Sequence, residues 1–253
     1  MLVKKTLILN CRDNSPMNFH HLAFFTLFSA LTVTLYAAPL VAIDVGHSLT
    51  DTGALSARGR SEFEFNREFA GVLAGAVTAR GLAVREVNFD GSVRILAERP
   101  KLAGKADFFI AIHHDSISTQ HLQLWDWDGS EASYTEVKRG FGLFVSANSP
   151  DLTTSLRCAS SIGSQLRRNG FVPTPWHGRK HLAADAENGV WYYDNLVVLY
   201  RTKLPAVLFE AGVIKHREEE LELRDPQRQA RMADAVATGI AGCLFVTEKS
   251  VQE

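Results

Sequence analysis

Three polar residues each follow a short apolar run with the composition of a buried strand. Asp44-Val45-Gly46-His47 closes the first run. His113-His114-Asp115 continues Phe108 to Ile112, and Glu210-Ala211-Gly212 continues Val207-Leu208-Phe209. Open α/β sheets bind ligands beyond the carboxyl ends of their strands. If these strands are parallel neighbours, His47, His113 and Glu210 meet in one cleft. A fourth group stands in Ser61-Glu62-Phe63-Glu64-Phe65-Asn66. Ser61 and Glu64 have the S-x-x-E spacing of a capping box, which assigns Glu64 to the N-terminus of its own helix. Glu62 lies at the leading edge of the stripe Phe65, Phe69, Val72, Leu73 and Ala76, and therefore faces inward. Two imidazoles and a carboxylate, His47, Glu62 and His113, make a donor set for one zinc ion with a position left open for water. Zinc acidifies such a water and polarises a carbonyl, which leaves Glu210 as general base. The chemistry expected is hydrolysis of an amide.

The elements needed to position these groups are visible as alternating patterns. Apolar runs at Leu40–Asp44, Leu82–Val87, Asp107–Ile112, Phe141–Val145, Leu196–Tyr200 and Ala206–Phe209 suit strands buried on both faces. Amphipathic stretches at Glu62–Arg80, Ser92–Gly104, Leu152–Arg168 and Pro226–Val246 suit helices. Strands alternating with helices predict an α/β fold: a mainly parallel central sheet of about six strands with helices on both faces. Residues 116–140 and 169–195 read as long loops and carry all four tryptophans, Trp125, Trp127, Trp176 and Trp191. Long aromatic loops on such a scaffold are expected to shape a binding site.

Lys4, Lys5 and Arg12 precede an apolar run from Leu22 to Tyr36, followed by Ala37, Ala38 and Pro39. This is the pattern of a secretory leader over residues 1–38, with residues 39–253 as one catalytic domain. The expected location is outside the cytoplasm, in the periplasm or cell-wall space. The whole chain has 27 basic and 28 acidic residues and a net charge of -1, and no basic stripe interleaved with aromatics. That excludes an electrostatic case for nucleic acid. Cys158 and Cys243 lie beyond the leader, and the sequence allows either a disulfide or two buried thiols.

A family resemblance becomes specific at this point. Asp44-Val45-Gly46-His47, then Glu62 to Asn66 opening a helix, then Ala111-Ile112-His113, then Pro205-Ala206-Val207-Leu208-Phe209-Glu210-Ala211-Gly212 resemble the zinc-dependent N-acetylmuramoyl-L-alanine amidases. Asp51-Thr52-Gly53-Ala54 is similar to the family's loop after the first ligand. The resemblance covers roughly Leu40 to Leu244. It implies cleavage of the amide between the lactyl group of N-acetylmuramic acid and L-alanine in peptidoglycan. It also implies zinc on His47, Glu62 and His113, and catalysis by Glu210. The chain departs from the family at Val45-Gly46-His47-Ser48-Leu49, where P-G-H-G-G is usual, and at Gly212-Val213-Ile214-Lys215-His216, where an asparagine is usual. His216 is a candidate to replace that polar contact. Val145 runs through Ser149 and Pro150 almost directly into the next helix, with no room for the inhibitory helix of some family members.

Other residues have lesser expected roles. Asp44 is expected to orient His47 or its turn. Asn66 belongs to the Glu62 motif. His114 should face away from its neighbour His113. His177, with His181 four positions on, is a candidate substrate contact or surface residue, and Trp191 a candidate groove wall. The charged stretch Arg217–Glu220 and Glu222 reads as a solvated helix face. The expected partners are the stem peptide and glycan of peptidoglycan, with a protein activator as a further candidate and a monomer as the working state. Two other functions fit the same residues: a zinc carboxypeptidase or deacylase on cell-wall peptides, and a non-catalytic peptidoglycan-binding module.

Overall fold

The computed structural model describes residues 37–249, so the expected leader lies outside the described residues except for its last two positions. The chain runs β1 (Leu40–Val45), α1 (Glu62–Thr78), β2 (Ala83–Val87), α2 (Arg99–Leu102), β3 (Phe108–Asp115), β4 (Gln123–Trp127), β5 (Ser130–Tyr134), β6 (Gly142–Val145) and α3 (Leu152–Arg168). It continues with β7 (Ala183–Asp185), β8 (Val190–Tyr192), α4 (Val197–Arg201), β9 (Ala206–Val213), α5 (Glu219–Leu223) and α6 (Pro226–Lys249).

Seven strands form the central sheet, in the order β2-β1-β3-β9-β6-β8-β7. β2, β1, β3 and β9 are mutually parallel. β6 runs antiparallel to β9, β8 parallel to β6, and β7 antiparallel to β8. The α/β class and the mainly parallel sheet hold, with one strand more than expected.

The continuous apolar runs are explained by burial on both faces. On one face Ile43, Ile110, Ile112, Val207 and Phe209 pack against α1, α3 and α6 through Phe69, Leu73, Ile162, Val236 and Ile240. On the other, Ala42, Phe109, Ala111, Phe144 and Leu208 meet only short elements, with Val198 and Leu199 of α4 among them. Helices therefore cover both faces, but unequally. Cys158 of α3 and Cys243 of α6 form a disulfide that ties the two long helices together.

Several expectations need correction. Leu196–Tyr200 is not a strand: Val197–Arg201 forms α4, with Val198 and Leu199 buried and Tyr200 exposed. A short apolar run has the same composition in a buried helix as in a buried strand. Two strands, β7 and β8, instead lie inside the stretch 169–195 read as loop; each has only three residues, too few for a periodic signal. The helix expected over Ser92–Gly104 shrinks to a 3-10 turn at Leu96–Glu98 and the single turn of α2. Pro100 sits near the start of α2, where its missing N–H is tolerated, but it blocks a longer helix through that point. Residues 116–140 contain the hairpin β4–β5, turned by Asp128 and Gly129 at φ 54° and 75°. Two positive φ values in a two-residue loop are those of a type I′ turn, which Asp-Gly favours.

Candidate metal centre

Glu62 opens α1 and carries the geometry of the site. Its Oε1 lies 3.0 Å from His47 Nε2 and 3.0 Å from His113 Nδ1. The three side chains offer one donor atom each, all within 4.8 Å of one another. Its other oxygen accepts the backbone N–H of Ala54, at 3.2 Å, which is what the Asp51–Ala54 loop contributes. Glu64 points elsewhere: its carboxylate accepts from the backbone N–H and the hydroxyl of Ser61, completing the expected capping box.

Each histidine is placed by backbone. Gly46 donates its N–H to the Ile112 carbonyl at 2.9 Å, locking the end of β1 to β3. A Cβ on Gly46 would come 2.5 Å from the His113 ring, so His113 can cross the strand end only over glycine. His47 itself has a left-handed backbone, φ 66°. Its carbonyl accepts from Asn88 Nδ2 at 2.6 Å and from Arg99 Nη2 at 3.1 Å.

Protonation states suit a cation. Burial works against an ionised Glu62, but hydrogen bonds from His113 and His47 outweigh it and hold the carboxyl below the usual carboxylate range. Burial pushes the His113 ring down, which keeps it neutral with a lone pair to give. One carboxylate and two nitrogen donors fit a divalent metal with an open coordination position.

Glu210 stands opposite His113 in the β3–β9 register and opposite Gly142 on β6. Its Oε2 is buried and has no hydrogen-bond partner. Burial, then the negative charges of Asp115 and Glu62, raise its proton affinity well above that of an ordinary glutamate, while Lys138 works the other way. Beside it lies a polar cluster. Lys138 Nζ is 2.5 Å from Asp115 Oδ2 and donates to the Ser116 carbonyl at 2.8 Å. His177 Nε2 is 3.3 Å from the same Asp115 oxygen, and the ring rests on Gly142, where a Cβ would come within 2.5 Å of it. His47 and His113 also line a cavity of about 140 Å³, whose apolar wall includes Val93, Leu96, Leu196, Val198 and Leu208. A larger hollow of about 840 Å³, bounded by Arg139, Phe171 and Arg228, shares no residue with the triad and is not the site.

The structure brings His47, Glu62, His113 and Glu210 together and sorts the lesser candidates. His114 faces the opposite side of β3, as expected, and Asn66 Oδ1 accepts its Nδ1–H at 2.8 Å. Asn66 also donates to the Gly46 carbonyl at 3.2 Å, so it braces the turn before His47. Asp44 makes no side-chain hydrogen bond to His47 and pairs with Arg99 at 3.5 Å. Burial pushes its carboxyl up to about 7 against the pull of that cation. His177 is buried rather than a surface residue. Trp191 is 7% exposed and packs in the sheet's thinner core, so it is not a groove wall. His216 does not line the cleft; its Nδ1 accepts from the backbone N–H groups of Glu218 and Glu219 at the start of α5. The stretch 217–222 is a solvated face only in part: Glu218 and Glu222 are exposed, whereas Glu219 and Glu220 are buried. Glu219 accepts from Gly140 and Val213, and Glu220 accepts from Ser56 and Arg58. Sequence reasoning missed Arg99, Asn88 and Lys138. An isolated arginine, asparagine or lysine in a polar stretch carries no periodicity to mark it as buried.

The family model for N-acetylmuramoyl-L-alanine amidase matches residues 41–242. Among solved structures, the chain is similar to the N-acetylmuramyl-L-alanine amidase Ami1 from Mycobacterium smegmatis, with a TM-score of 0.67 at 20% identity, covering 84% of this chain and 100% of that one. The catalytic domain of the amidase CwlV from Bacillus (Paenibacillus) polymyxa var. colistinus gives 0.62 at 25% identity, covering 82% and 99%. The CwlD amidase from Clostridioides difficile, solved in complex with the GerS lipoprotein, gives 0.61 at 20% identity, covering 82% and 99%. No relative was found among curated protein sequences. With the match spanning nearly all of the described residues, the chain belongs to the N-acetylmuramoyl-L-alanine amidase family.

Proposed function

We propose that this chain hydrolyses the amide joining the lactyl group of N-acetylmuramic acid to L-alanine in peptidoglycan, with one zinc on His47, Glu62 and His113 and with Glu210 as general base. The observation that carries this reading is Glu210 paired with His113 across β3 and β9. One of its oxygens is left without a partner, in a chain of an amidase family. Zinc bound there supplies a Lewis acid for the scissile carbonyl and for water. Glu62 gives negative charge, and the imidazoles of His47 and His113 give lone pairs. Glu210 takes the proton of the attacking water and returns it to the departing amine. Its raised proton affinity suits both halves of that transfer. Lys138, paired with Asp115, limits how far that affinity rises.

Export to the periplasm or cell-wall space belongs to the same reading. Residues 1–38 have the composition of a leader, and a Cys158–Cys243 bond suits an oxidising compartment. No helix among the described residues is long and apolar enough to cross a membrane. The CwlD amidase has been solved with a lipoprotein partner. For this chain we expect activity without an activator, because residues 146–151 join β6 to α3 directly and hold no inhibitory helix.

The test is digestion of purified peptidoglycan with the leaderless protein, alongside metal analysis. Stem peptides released with a free L-alanine amine, and one zinc per chain, are the expected result. Loss of only a terminal residue would assign a carboxypeptidase instead. No release, no zinc and no effect of Glu210→Ala on wall binding would assign a non-catalytic module.

A further inference from the structure

Arg99 has no part in the metal chemistry described above, yet its side chain is 1% exposed, among the largest fully buried in the molecule. A buried guanidinium is costly unless it is paired and hydrogen-bonded. Its Nη1 faces Asp44 Oδ2 at 3.5 Å, and Asp44 is fully buried with neither oxygen hydrogen-bonded, which leaves it the role of counter-charge. Nη2 donates to the His47 carbonyl at 3.1 Å. Asn88 reaches the same carbonyl at 2.6 Å and the Val45 carbonyl at 2.7 Å, so it spans the turn on both sides of Gly46. What the two donors hold is a histidine at φ 66°. That conformation is uncommon for a residue with a side chain and persists where surrounding contacts over-determine it. The carbonyl of a left-handed residue fixes the plane of the next peptide and, with it, the direction of Cα–Cβ. Here that direction aims the imidazole at Glu62 Oε1.

We propose that Arg99 is a positioning residue for the metal: with Asp44 as its counter-ion and Asn88 beside it, it clamps the His47 carbonyl and so fixes where the His47 imidazole points. The clamp supplies from two side chains the restraint that the turn Val45-Gly46-His47-Ser48-Leu49 does not supply from glycines of its own after the ligand. This rests on the zinc reading of the triad.

The experiment measures zinc affinity of the metal-stripped protein by chelator competition, with circular dichroism as the check on folding. Wild type is expected to bind one zinc. Arg99→Met is expected to raise the zinc dissociation constant about 10- to 100-fold, the range found when groups that orient metal ligands are removed. In a His47→Ala background the same substitution should change the constant by less than about threefold, because the ligand it orients is gone. Arg99→Met binding zinc as wild type does, or losing equal affinity in both backgrounds, overturns the proposal while leaving the metal site standing. Should Arg99→Met fail to fold, Asn88→Ala removes the other half of the clamp without stranding a charge, and the same pattern is required of it. A wild-type protein that binds no zinc overturns the metal reading and this proposal with it.

Discussion

At the residue scale the site is a contest between two glutamates at each of two places. Glu62 and Glu64 are two positions apart in α1, and the capping box decides between them: Glu64 turns back to Ser61, and Glu62 turns in to both imidazoles. Removing each should therefore have unlike effects. Glu64→Ala should cost about 0.3 to 1.5 kcal/mol of stability, the range for one component of a helix cap, and leave zinc bound. Glu62→Ala should abolish tight zinc binding; calorimetry of the metal-free and zinc-loaded proteins separates the two. The second contrast is between Glu62 and Glu210, both carboxylates beside His113. Hydrogen bonds from two imidazoles keep Glu62 ionised, whereas Glu210 has burial and two neighbouring negative charges pressing it toward the protonated form. One is suited to hold a cation and the other to exchange a proton. Glu210→Gln should keep zinc and lose about 10²- to 10⁴-fold in kcat, the range for a positioned general base. A Glu210→Gln enzyme that turns over at the wild-type rate would remove Glu210 from the mechanism.

At the element scale, what the sequence made readable follows from how strongly each element repeats its own pattern. α3 was expected over Leu152–Arg168 and forms over those residues, because Leu156, Ala159, Ile162 and Leu166 recur at helical spacing over about three turns and Asp151 caps the start. The strands that end in His47, His113 and Glu210 were readable because burial on both faces leaves an unbroken apolar run. The run Val197–Leu199 has the same composition but too little length to declare its period, and it folds as α4. The hairpin β4–β5 was there to be read: Asp128-Gly129 stands between Trp125-Asp126-Trp127 and Ser130-Glu131-Ala132, an Asp-Gly turn flanked by strand-length segments. Its tryptophans stack on each other, and Arg58 lies over both rings. They serve to dock the hairpin on the loop after β1, where Trp125 Nε1 also donates to the Ala57 carbonyl. The pairing of Cys158 with Cys243 was not readable, since two amphipathic helices can meet in many rotations. It joins residues 85 apart, and a closed loop of that length restricts the unfolded chain by about 4.6 kcal/mol in the chain-entropy view. The Cys158→Ala/Cys243→Ala variant should lose roughly that much in urea unfolding under non-reducing conditions. Wild type treated with reductant should shift toward the variant's curve.

At the scale of the whole molecule the two faces of the sheet divide the work. Three long helices cover one face, and the other, more thinly covered by α2 and α4, leaves room beside β3 and β9 for the triad, a small cavity lined in part by His47 and His113, and the cluster of Asp115, Lys138 and His177. That division explains why so many ionisable groups are buried near one end of the sheet, and it ties stability to pH. The His177 ring is pushed down to about 3, first by burial and then by the nearby positive charges of Lys138 and His181. Its value in the unfolded chain is 6.5, so the folded state binds this proton less readily than the unfolded one. The stability gained by keeping the ring neutral is fully present above pH 6.5 and is lost as pH falls toward 3. His114, also pushed down to about 3 by burial, has the same sign over the same window. Asp44 has the opposite sign: raised to about 7, it favours the fold at low pH and loses that contribution as pH rises through 7. A single melting curve mixes these, so the informative quantity is a difference between two proteins. In metal-free protein, where pH-dependent loss of metal cannot intervene, the Tm of wild type should fall more steeply between pH 6.5 and 4.5 than that of His177→Asn. The packing lost in the variant lowers its Tm at every pH, but the gap should narrow on acidification because only wild type has the buried His177 imidazole to protonate. A gap that stays constant across this range would mean that His177 is not held neutral by the fold.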